Sequence, residues 1–248
     1  MRNIRLFIIT ALLGLALIAC DSRVTPQETI EGYYVEGALV KNIDLDQAEV
    51  LVVVQRNDSV LTSAVVTIGD DTLAYSGGMY RHTYTGEDIP DQGAYYLKVV
   101  DSTIFADSIA FGVPGNFQIT SILPANRILR PIDMASVEWT TAFMANGYVY
   151  GAVKKTDIYS DTGFAEFVTS LTSAVTMDRE AFSLPGGELD TGLYYIYLYA
   201  YAGSPLPGSL IPTSFPEGLT NNIVRDNLTA KFGAVTVCEH DSLSAETL

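Results

Sequence analysis

Two cysteines, two histidines and one tryptophan occur in 248 residues. Cysteines at positions 20 and 238 alone make no disulfide framework. With His82 and His240 as the only imidazoles, a transition-metal centre lacks ligands. No Gly-x-Ser-x-Gly elbow, His-Glu-x-x-His, Walker loop or Cys-x-x-Cys pair is present. Basic residues are scarce as well: 14 Lys and Arg stand against 29 Asp and Glu, for a formal charge of −15. A body of that sign repels phosphate backbones and anionic headgroups, which excludes nucleic acid as a partner. After residue 21 there is no long capped amphipathic helical pattern. The one long apolar run, Leu6 to Ala19, has about 14 residues where a membrane-spanning helix needs about 20. The expectation is a chain with no catalytic residues, no metal and no cofactor, and not an enzyme.

What is present begins with that run. Arg2 and Arg5 precede it, and the small residue Ala19 stands directly before Cys20. A basic start, an apolar core and a small residue at the end form a secretory leader. The ending Leu17-Ile18-Ala19-Cys20 resembles the lipobox of bacterial lipoproteins. The resemblance implies a signal peptide over 1–19, cleavage before Cys20, lipidation of its thiol and a tether over 20–31. An ordinary signal peptide or an uncleaved anchor are the alternatives. Acyl chains contribute about 0.8 kcal/mol per buried methylene, so two or more hold a soluble body on a bilayer. Loss of Arg2 and Arg5 with the leader takes the formal charge from −15 to −17. The expected partners are the lipid bilayer through acylated Cys20 and an envelope protein or glycan. The expected location is the bacterial cell envelope, with the outer membrane or cell surface ahead of the inner membrane.

From Gly32 onward the pattern is β. Glu49–Val54 and Ala64–Ile68 are rich in β-branched residues, Met79–Thr85 alternates, and Ala94–Val100 follows the turn Ile89-Pro90-Asp91-Gln92-Gly93. Strands spaced about 8–12 residues apart, with Gly, Asp and Pro between them, indicate a sandwich or barrel. Phe111-Gly112-Val113-Pro114-Gly115-Asn116 breaks the pattern and marks a boundary. Gln92 to Val99 resembles a strand of bacterial Ig-like domains. The segment from about Pro114 to Cys238 resembles a fibronectin type III domain. Val137-Glu138-Trp139-Thr140 corresponds to its second strand, Gly147–Val153 to its third, and Leu189–Leu198 to the strand carrying the tyrosine corner. The resemblance implies an all-β chain of two tandem Ig-like, fibronectin-III-like β-sandwiches, over 32–113 and 114–238, followed by a polar tail over 239–248. Ser160–Ser183 is longer than that plan needs and has room for a short helix. Cys238 ends a strand and reads as a small buried hydrophobe.

The functional signal lies in the strand at 194–201. Alternation puts Tyr194, Ile196, Leu198 and Ala200 on a core face and Tyr195, Tyr197, Tyr199 and Tyr201 on the other. Four tyrosines in a row form a candidate binding face, because each offers a large contact area and a hydroxyl at low entropic cost. The long Pro/Gly-rich loop 202–226 adds Phe215 to that face and carries enough apolar residues that it should dock. The tyrosines can equally pack beneath this loop or against the first domain. His82 alternates with Tyr80 and Tyr84 and reads as structural; His240 falls in the tail. The acidic turns Asp44-Leu45-Asp46 and Asp70-Asp71 read as solvated rather than as calcium loops. The function expected is a membrane-anchored envelope lipoprotein acting as a non-catalytic binding or adhesion module through protein or glycan contacts. The alternatives are a structural or accessory subunit of an envelope complex, and a carboxylate-dependent glycan hydrolase.

Overall fold

Runs of Val, Ile, Tyr and Thr favour a pleated, half-buried surface, and they form the strands of the computed structural model, which describes residues 32–102, 104–155, 164–184, 187–206, 210–211 and 219–247. The first half contributes β1 (Tyr33–Asn42), β2 (Gln47–Arg56), β3 (Ser59–Val60), β4 (Val65–Ile68), β5 (Asp71–Thr72), β6 (Ala74–Ser76), β7 (Met79–Thr85), β8 (Gly93–Asp101) and β9 (Phe105–Val113). The second contributes β10 (Ile119–Leu123), β11 (Ile128–Leu129), β12 (Ala135–Trp139), β13 (Gly147–Lys154), β14 (Phe164–Thr169), β15 (Ala174–Met177), β16 (Gly192–Gly203), β17 (Ile223–Arg225), β18 (Leu228–Val237) and β19 (Asp241–Ala245). Cys20, the leader and tether, and Phe215 lie outside the described residues.

Both halves follow one plan. In the first, a layer holding β1-β2-β7-β6 faces a layer ordered β5-β4-β8-β9. In the second, β10-β12-β15 faces β14-β13-β16, which β18 and β19 extend. These are two tandem β-sandwiches, as the strand spacing indicated, of the Ig-like, fibronectin-III-like kind that the resemblance implied. Val35, Val50, Val52, Leu97, Ile109 and Phe232 are among the residues that fill the first core. The second is built around Trp139, which meets the ring of Tyr148 edge-on at 5.4 Å. Such pairs add about 0.5–1.5 kcal/mol beyond burial.

A tyrosine corner locks each sandwich. The Tyr194 hydroxyl donates to the Asp190 carbonyl at 3.0 Å, and the Tyr95 hydroxyl donates to the Asp91 carbonyl at 3.1 Å. Both tyrosines sit in the same local sequence, Asp91-Gln92-Gly93-Ala94-Tyr95-Tyr96 and Asp190-Thr191-Gly192-Leu193-Tyr194-Tyr195. This six-residue repeat marks the same corner in both halves.

The halves are stitched by β18. All ten of its residues pair in parallel with β1, from Tyr33↔Leu228 to Asn42↔Val237. Its last five residues also pair antiparallel with β16, from Tyr199↔Val237 to Gly203↔Gly233. Leu228, Ala230, Phe232 and Ala234 therefore lie in the first core, while the next residue after the strand, Cys238, lies in the second. A strand read as the last one of the second sandwich is shared by both.

Among its described residues Ser160–Ser183 holds β14, β15 and one short helix, a 3-10 turn at Arg179–Phe182. One further reading is corrected, since the polar tail is structured. Asp241–Ala245 is β19, paired with the start of β16 and with β11, and it buries Leu243 and Ala245. The alternation Asp-Ser-Leu-Ser-Ala has only two apolar positions, and both point inward.

Candidate functional site

Along β16 the two faces separate as alternation requires. Tyr194, Ile196, Leu198 and Ala200 are buried in the second core. The opposite face carries Tyr195, Tyr197, Tyr199 and Tyr201, but it is not an open platform. Tyr199 is 0% exposed. It packs among Ala38, Val40, Val149, Val235 and Val237, with Leu210 and Ile211 of the 202–226 loop against the same cluster. The cause is the continuous sheet. Because β18 carries the sheet on to β1, residues of the first half lie beside Tyr199, and the loop can lie across both. Asn42 fastens the loop by donating from its side-chain amide to the Leu210 carbonyl at 2.9 Å. Tyr201 is half-buried, with the Phe167 ring edge-on at 5.4 Å, and burial raises its hydroxyl pKa.

Tyr195 and Tyr197 are half-buried too; Tyr197 packs against the same cluster, its ring stacked on Tyr199 at 6.3 Å, and both tyrosines also meet His240. Their rings meet edge-on at 6.2 Å, and the His240 ring lies 4.6 Å from the first and 5.4 Å from the second. The Lys155 ammonium sits 5.4 Å over the ring of Tyr195, within reach of its π face. His240 is held in place by Asp44 of the β1–β2 turn. Its ring Nδ1 lies 2.6 Å from Asp44 Oδ2, and its backbone N–H donates to the same carboxylate at 3.1 Å. The turn acid Asp44 therefore positions an imidazole.

The arrangement combines three ring faces, two phenol hydroxyls and a cation, which suits contact with a peptide or sugar surface. Among the described residues no three His, Cys, Asp or Glu side chains are gathered to hold a metal ion. Alternation along the chain points to Tyr195 and Tyr197. His240 and Lys155 reach the face only through folding, since β19 returns beside β16 and β13 ends next to it.

No protein-family model matches the chain, and no curated protein matches it. Among solved structures it is similar to the FN1–FN3 domains of chicken CNTN1, with 13% identity over 69% of this chain and a TM-score of 0.28. The chain spans about 62% of the length of that segment. It is also similar to a two fibronectin type-III domain segment of chicken tenascin, with 12% identity over 61% of this chain and 83% of that one, at a TM-score of 0.23. A third likeness, to trypsin-activated alpha-2-macroglobulin of Escherichia coli, has 9% identity over 71% of this chain and 15% of that one, at a TM-score of 0.23. The tandem fibronectin-like architecture of the chain itself stands on its two layered cores, their common strand plan and the paired tyrosine corners.

Proposed function

We propose that this chain is a bacterial envelope lipoprotein, held in the outer membrane or at the cell surface by acylated Cys20. It acts as a non-catalytic binding or adhesion module through protein or glycan contacts centred on Tyr195 and Tyr197. The observation that carries this reading is the Tyr195, Tyr197 and His240 ring group, fastened by Asp44 and flanked by Lys155. Tyr199 is removed from the contact set by its burial, and Tyr201 packs edge-on against Phe167.

Two measurements test it. In cells fed labelled palmitate, the wild-type chain takes up label and Cys20→Ala does not. The full chain in detergent micelles is then titrated onto immobilised envelope protein and glycan fractions. Tyr197→Ala should lose about tenfold in affinity, the scale of an aromatic anchor. Tyr96→Ala, at a 56% exposed tyrosine on β8, should bind as wild type. Unchanged binding by both Tyr195→Ala and Tyr197→Ala would reject the face. A structural or accessory role would then stand in its place. The burial of Tyr199 with Leu210 and Ile211 favours that second reading, because a face covered by its own chain supports the fold.

A further inference from the structure

A cleft of about 230 Å³ opens where the first sandwich meets the connector to the second. Its lining comes from Lys41 at the end of β1, Asp46 in the β1–β2 turn, Glu87, Ile89 and Asp91 before β8, and Asn116 in the connector. Junctions between domains are a common setting for small-ligand sites. Lys41 is the residue that calls for explanation. It is only 8% exposed, and lysine is rarely buried to that degree unless paired. An ammonium has three donors. Among the described residues its one hydrogen bond goes to the Pro90 carbonyl at 3.4 Å, long for N–H···O. Burial lowers the Lys41 pKa, and the charge of Asp91 works against that.

The charges of the lining restrict what fits. Three carboxylates repel an anion. The ammonium in the wall offsets one of those charges and adds donors that a cation cannot use. A hydroxyl can accept from Lys41 or Asn116 and donate to Asp46, Glu87 or Asp91, so a neutral ligand rich in hydroxyls satisfies every group. We infer that this cleft binds one polyhydroxylated ring, a neutral sugar residue, with Lys41 and Asn116 donating and the three carboxylates accepting. This deepens the glycan part of the reading above and rests on it for the choice of partner. The lining shares no residue with the tyrosine face.

Saturation-transfer NMR tests the inference on the full chain in detergent micelles. The probes are methyl α-glucopyranoside, methyl β-galactopyranoside and N-acetylglucosamine, with acetate and ethylenediamine as charged comparisons. At least one sugar should give transfer. The signal should correspond to about tenfold weaker binding in Glu87→Gln and in Lys41→Met, the loss of one charge-assisted hydrogen bond. It should be unchanged in Tyr197→Ala. If Lys41→Met does not fold, Glu87→Gln and Asn116→Ala, both at exposed positions, decide alone. No transfer to any sugar, stronger transfer to acetate or ethylenediamine, or full transfer in the cleft variants would overturn the inference. Transfer lost in Tyr197→Ala but kept in Glu87→Gln would place the sugar on the tyrosine face and overturn it as well.

Discussion

Tyr194 and Tyr195 are neighbours of identical chemistry with opposite duties. Tyr194 is buried and its hydroxyl donates to the Asp190 carbonyl at 3.0 Å, while Tyr195 faces outward beside His240. Removing the Tyr194 hydroxyl leaves a carbonyl short of a donor, so Tyr194→Phe should cost about 1 kcal/mol in urea unfolding. Tyr195→Phe should leave the urea midpoint in place. Cys238 offers a pH-linked expectation. Burial, with Asp44 adding to it, pushes its thiol from the ordinary 9.0 up to about 12. The folded chain therefore keeps a proton that the unfolded chain releases. This contribution to stability is full below pH 9 and is lost as pH rises towards about 12. Urea midpoints measured from pH 8 to 10.5 should fall less steeply in Cys238→Ala than in the wild type. A thiol reagent at pH 8 should label Cys238 only after unfolding. Cys238 as a small buried hydrophobe is readable from the apolar strand it ends. The corner that Tyr194 forms was implied by the fibronectin resemblance of Leu189–Leu198, whereas the recurrence of Asp-x-Gly-x-Tyr-Tyr at 91–96 and 190–195 stands out only beside the two hydrogen bonds.

At the scale of elements, the departure of the chain after β16 decides what happens to the tyrosine face. Gly203 takes a positive φ of 72°, and the chain then crosses β18 so closely that a Cβ on Gly233 would lie 2.9 Å from the Ser204 nitrogen and 3.0 Å from Pro205 Cδ. Gly233→Val should lower stability by about 2–3 kcal/mol through forced backbone shifts, visible as a fall in melting temperature. Beyond this crossing, Leu210 and Ile211 lie over the cluster that holds Tyr199. In Leu210→Asp the loop should lift, and Tyr199 should become reactive to tyrosine-selective labelling while remaining protected in the wild type. The sequence separates the two faces of β16, because alternation is a local signal. It does not say which of four outward tyrosines ends up covered. That depends on Ala38 and Val40 arriving from β1, far away in the chain. The loop could be seen to need a surface from Leu210 and Ile211, but not which surface.

The two sandwiches behave as one body because β18 contributes to both. Leu228 to Ala234 feed the first core, and the same strand is hydrogen-bonded along β16 of the second. Calorimetry on the full chain should show a single transition, and Val50→Ala in the first core and Ile196→Ala in the second should each lower it. Two peaks moved separately by the two variants would contradict this. The sandwich plan was legible from strands such as Glu49–Val54, Met79–Thr85 and Gly147–Val153, whose β-branched and alternating residues carry their own signal. The stitch was not. Leu228–Val237 is buried or half-buried on both faces, and such a strand bears no mark of its neighbours. The parallel ladder between β1 and β18 also sets an order of events. Tyr33 finds its partner Leu228 roughly two hundred residues later in the chain. Until that segment is made, one edge of β1 is a row of unsatisfied amides and carbonyls, a template on which other chains can add. The first half cannot settle early and wait. It must stay open to the end of synthesis, slow to close and dependent on being kept apart from its own copies. A polypeptide with that timetable completes its first sandwich only once its last long strand is at hand.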